Sequence, residues 1–112
     1  MLMLTGAAAV FDGPVNFAYP YYFAKSATHS LAILLSERTE IPETSTVVTI
    51  LPGTLDTEAN REAMKGMDTK EWAPPDKVAF MIRRWADGEN RPTNGSYCKL
   101  MYENESLYAK FV

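Results

Sequence analysis

The chain of 112 residues has one cysteine, Cys98, and one histidine, His29. A single thiol excludes an intrachain disulfide, and one thiol with one imidazole gives no ligand set for a structural metal. A free thiol inside the strand-like run SYCKLMY suits a reducing compartment, which points to a cytoplasmic location. Positive charge is not in excess: the net charge is −3, the pI is about 5.1, and Arg83-Arg84 is the one Lys/Arg doublet. Nucleic acid and anionic membrane are therefore not expected as partners. Long hydrophobic runs are missing as well. MLMLTGAAAV has no basic flank, and Asp12 with the turn DGP interrupts it well short of a spanning length, so it reads as neither a signal peptide nor a membrane helix.

What is present is apolar and aromatic. A hydrophobic content of 46%, with 12% aromatic residues, predicts a packed core rather than disorder. MLMLTG reads as the end of a buried parallel strand. AAAVFDGPVNFAYP reads as a turn-rich connection, with Pro20 in the first turn of a helix that runs to about Glu37. In that helix Ala24, Ala27, Leu31, Leu34 and Leu35 follow helical spacing, and Ala32 with Ile33 widens the apolar surface beyond one buried stripe. A second packing partner is implied. TVVTIL is β-branched and reads as an interior strand ending at Pro52-Gly53. LDTEANREAMKGM predicts a modest helix capped by Thr54 or Asp56. PPDKVAFMIRRWADG predicts a better one, with Val78, Met81, Ile82 and Trp85 on one face. SYCKLMYE and SLYAKF, separated by Asn104-Glu105, predict a closing hairpin. No repeat and no composition shift divides the chain.

Strand, crossover helix and strand predict a parallel α/β sheet, in which ligands sit beyond the carboxyl ends of the strands. Two turns qualify, one after Leu4 (TGAAA) and one after Leu51 (PGTLDT). Between them in sequence, Tyr21 and Lys25 stand four residues apart and share one helical face. An ammonium held near a phenol favours the phenolate and eases proton donation to a substrate being reduced. His29, one further turn along, reads as structural, since no second ligand or base accompanies it. Trp85 reads as a core anchor, Trp72 as core or as part of a substrate-covering loop, and Asp56, Glu58, Arg61 and Glu62 as a solvated helix face.

A strand ending in a small-residue turn, then Tyr21-x-x-x-Lys25, then a strand ending in Pro52-Gly53 with Thr57 closing the motif resembles the short-chain dehydrogenase/reductase family. The likeness extends through Ser26-Ala27 and His29, LPGTLDTEANREAM, Trp72-Ala73-Pro74 and NRPTNGS, which together cover nearly the whole chain. Within the family it is most similar to the branch that reduces quinonoid dihydropterins with NADH. The resemblance implies the carboxyl-terminal half of a Rossmann-like, doubly wound parallel sheet with an edge hairpin. It implies Tyr21 as proton donor and Lys25 as holder of the nicotinamide ribose. Pro52, Gly53, Thr54 and Thr57 would border the nicotinamide, and NADPH is the alternative to NADH. It also implies a homodimer through the helix from Tyr21 to Glu37.

Two departures matter. Most of the family places a Ser after the strand that here ends at Leu4, where this chain has Gly6, Ala7 and Ala8; a quinonoid ring needs no such hydroxyl. The Gly-rich turn that cradles a dinucleotide pyrophosphate is missing, for no G-x-x-x-G-x-G occurs. Residues 1–112 are therefore expected to form one partial domain without its cofactor half. The alternatives are a non-catalytic product that pairs with full-length subunits, and a short-chain reductase for another substrate.

Overall fold

A computed structural model of the chain describes residues 1–13 and 18–112. Strand β1 (Leu2–Thr5) leads through Gly6 and Ala7 into a short helix α1 (Ala8–Asp12), where the sequence predicts only a connection; residues 14–17 of that connection lie outside the described residues. Helix α2 (Tyr19–Ser36) follows, with Pro20 in its first turn as expected. Strand β2 (Val47–Pro52), helices α3 (Glu58–Ala63) and α4 (Pro75–Ala86), and strands β3 (Ser96–Glu103) and β4 (Ser106–Phe111) complete the chain.

The four strands form one mixed sheet in the order β1-β2-β3-β4, with β1, β2 and β3 parallel and β4 antiparallel. The β3/β4 turn has Asn104 and Glu105 at φ 50° and 63°, the backbone of the two-residue hairpin turn that matches strand twist. Because side chains alternate along a strand, β2 divides its apolar residues between two faces. Val48 and Ile50, with Cys98 and Leu100 of β3, pack against Val78 and Trp85 of α4 and against Ala73. Val47, Thr49 and Leu51 turn to the opposite face, over which α1 and α2 lie. All five residues Val47–Leu51 are buried, as a central strand requires.

Three expectations change. The strand β1 was expected to be buried, but it lies at the sheet edge and Leu2 is 45% exposed, while Met3 packs toward the α4 core. The cap of α3 is Thr57, whose Oγ1 accepts the Asn60 N–H at 3.1 Å, rather than Thr54 or Asp56. The inward line of α2 is Lys25, His29, Ala32 and Ser36, so the apolar stripe with Leu31 and Leu34 faces outward. No described helix is long and apolar enough to cross a membrane.

Candidate functional site

Pairing of Thr5 with Ile50 and a Gly6 N–H bond to the Ile50 carbonyl at 2.9 Å bring the exits of β1 and β2 side by side. Over the β1 exit lies the first half of α2. Lys25 donates from Nζ to the Thr5 carbonyl at 3.0 Å, and the same ammonium stands 6.0 Å from the centre of the Tyr21 ring. One helical turn thus puts phenol and ammonium together, as the sequence predicts. Tyr21 is half exposed, so a reactant can reach its hydroxyl from solvent.

The neighbouring exit is the turn Pro52-Gly53-Thr54. A Cβ on Gly53 would meet nothing within 4 Å, so open space lies against this backbone. That space is part of a cavity of about 550 Å³ between the exits of β2 and β3, walled by Gly53 and Thr54, Ala8 and Asp12 of α1, Trp72, and Lys99 of β3. Two of these residues, Lys99 and Asp12, are ion-paired with each other. Trp72 is buried, and Ala73 beside it exchanges backbone bonds with Thr54 and Asp56 (3.2 and 2.9 Å), which ties the segment before α4 to the β2 exit turn.

The predicted residues therefore fall into two groups. Tyr21 and Lys25 sit over the β1 exit, while Gly53 and Thr54 line the cavity beside it, and neither Tyr21 nor Lys25 is among that cavity's walls. Pro52 is still a strand residue, paired with Leu100. Thr57 stands at the start of α3 with its hydroxyl engaged in capping.

Helix α2 is fastened by residues far from it in sequence, which no local pattern announces. The Ala7 N–H donates to His29 Nε2 at 3.2 Å, and the Tyr97 hydroxyl donates to the His29 carbonyl at 2.6 Å. Phe11 and Tyr97 flank the imidazole, with ring centres 5.8 and 6.1 Å away. At the far end of the helix, Asn94 accepts the Val47 N–H at 2.9 Å and donates to the Ser36 carbonyl at 2.8 Å. The N-G-S sequence before β3 was the available signal for Asn94, since Asn favours side-chain bonds to backbone at such turns. Burial, reinforced by the Lys25 charge, lowers the His29 pKa from its ordinary value, so the imidazole is neutral at pH 7. Burial also pushes the Cys98 thiol up to about 11, which keeps it protonated and unreactive.

No protein-family model matches the chain. A curated relative, the dihydropteridine reductase of Dictyostelium discoideum, is 38% identical over 101 residues, which are 88% of this chain and 43% of the relative. The chain is a homologue of dihydropteridine reductase. It spans less than half the length of that dihydropteridine reductase, which is consistent with a partial chain.

Proposed function

We propose that this chain is the catalytic part of an NADH-dependent 6,7-dihydropteridine reductase, which converts quinonoid dihydropterin to tetrahydropterin. The observation that carries the proposal is the Tyr21/Lys25 pair, one turn apart with the ammonium anchored at the exit of β1, in a chain homologous to such a reductase. The parallel strands and the helices on both faces suit the later half of a Rossmann-like sheet.

The residues present fit the nicotinamide end of a dinucleotide. An ammonium has three donors, and the Thr5 carbonyl takes one of Lys25's, leaving two for ribose hydroxyls. The open space against Gly53 leaves room for a flat ring beside the backbone of Pro52 and Thr54, with Thr57 following at the start of α3. When bound, the cofactor supplies a hydride; NADPH would supply the same chemistry. Tyr21 gives the accompanying proton from its exposed hydroxyl, and the Lys25 charge stabilises the phenolate left behind. The turn Gly6-Ala7-Ala8 offers no side-chain hydroxyl for a substrate carbonyl, which suits a quinonoid ring.

The outer face of α2 supports pairing with a second subunit. Phe23, Leu31 and Leu34 are 68%, 47% and 64% exposed along it, more contiguous apolar surface than a helix facing water carries. The same face supports a second reading, in which the chain is a non-catalytic product that pairs with full-length subunits. Grafting the chain in place of the matching part of the Dictyostelium relative separates the two. The graft should reduce quinonoid dihydropterin with NADH, and Tyr21→Phe should lower its turnover about 10²-fold. An active graft that keeps its turnover after Tyr21→Phe removes the phenol from the mechanism, and a folded dimeric graft without activity favours the second reading.

A further inference from the structure

The backbone on either side of Gly6 is held by two side chains of opposite polarity. Before Gly6, the Thr5 carbonyl accepts from Lys25; after it, the Ala7 N–H donates to His29. Lys25 and His29 are four residues apart on α2, so they address this turn from one helical face. Lys25 can only donate, whereas a neutral imidazole offers one accepting nitrogen. If the turn slipped by one peptide against the helix, donor would face donor. Gly6 completes the fit, because a Cβ there would stand 2.6 Å from His29 Cδ2 and 2.8 Å from Leu51 Cδ2.

We infer that His29 is a positioning residue that sets the register of the β1 exit turn against α2, and through it the seat of Lys25, and that it does so only as the neutral Nδ1–H tautomer. Protonation would convert Nε2 from acceptor to donor, facing the Ala7 N–H, and would place a second positive charge beside Lys25. The other groups around the ring do not counter this. Tyr97 from β3 donates to the His29 carbonyl rather than to the imidazole, and burial raises its pKa, so it stays neutral. Phe11 from α1 carries no charge. Lys99, two residues past Tyr97 on the same face of β3, is ion-paired with Asp12 of α1. β1 and β2 bring no titratable side chain to the ring. The consequence for Lys25 rests on the functional reading above, but the latch itself does not.

The test uses the ¹⁵N-labelled 112-residue chain and reads the imidazole and the amide, not activity. At pH 7.5 the His29 ¹⁵N shifts should show the proton on Nδ1 and a bare, accepting Nε2, and His29 should titrate below the ordinary value of about 6.5. As His29 takes up its proton, protection of the Ala7 amide from exchange should fall by about tenfold, while protection at Val48 in the sheet core changes less. His29→Gln, whose side-chain oxygen can still accept, should keep Ala7 protected and remove the pH dependence. His29→Leu should lose the protection at every pH, and Lys25→Met should raise the His29 midpoint. A proton on Nε2 at pH 7.5, or Ala7 protection in His29→Leu equal to that of the unaltered chain, would overturn the inference. If His29→Leu does not fold, the tautomer and midpoint of the unaltered chain still decide it.

Discussion

On the face of the sheet covered by α4, Val48, Ile50, Cys98 and Leu100 meet Val78 and Trp85 in a buried apolar cluster, and Arg91 closes the helix by donating to the Trp85 and Ala86 carbonyls, both at 2.7 Å. On the other face, α2 turns Lys25, His29 and Ala32 inward and is fastened by hydrogen bonds at Thr5, Ala7, Tyr97 and Asn94, while Phe23 and Leu34 look outward. The first face is held by apolar burial, which is strong and indifferent to direction; the second adds to the burial of Val10, Ala32, Val47 and Leu51 a set of polar bonds, which contribute less energy each but fix register. The pair that carries the proposed chemistry sits on the second face. The difference suggests why: an exposed phenol and an ammonium need accurate placement more than deep burial.

Trp85→Ala should have the largest effect, because it empties the centre of the α4 cluster: a loss of about 3–5 kcal/mol in urea unfolding. Gly6→Ala should cost less, about 1–3 kcal/mol, the range for forcing atoms into a filled space. It should also disturb Ala7 and His29 resonances before those of Val78. A Trp85 variant that loses no more than the Gly6 variant would erase the contrast between the faces. The smallest effect on folding should come from Phe23→Glu with Leu34→Glu, within about 0.5 kcal/mol for surface sites. That double variant should nonetheless abolish any self-association seen by light scattering, and unchanged association would take the outer face of α2 out of subunit pairing.

Acid should weaken the α2 side. The folded pKa of His29 lies below its unfolded value, so the unfolded chain binds the proton first. Stability present above about pH 6.5 is then lost as pH falls through the folded pKa.

The α4 face was legible in the sequence because a helix period and a strand period both announce apolar burial. Val78, Met81, Ile82 and Trp85 fall on one stripe at helical spacing, and Val78 and Trp85 are buried with Met81 and Ile82 packed beside them. The α2 face misled the same reasoning: Leu31 and Leu34 repeat as a core stripe would, yet a polar line through Lys25 and His29 faces the sheet. Periodicity reports where apolar residues align, and here they align toward a surface that none of the described residues covers. The closeness of Tyr21 to Lys25 followed from four-residue spacing alone. The Ala7 bond to His29 spans 22 residues, and no local pattern announces a contact at that separation.

The proposed chemistry depends most directly on Lys25, which has two duties, one toward the ribose and one toward the phenol. In the active graft, NADH affinity and turnover at saturating NADH should be measured before and after Lys25→Ala. NADH should bind about tenfold or more weakly, as the loss of a charged hydrogen-bond donor requires, and turnover at saturating NADH should fall about tenfold or more, because the phenolate formed in the step has lost its neighbouring charge. Unchanged affinity together with unchanged turnover would contradict that double role.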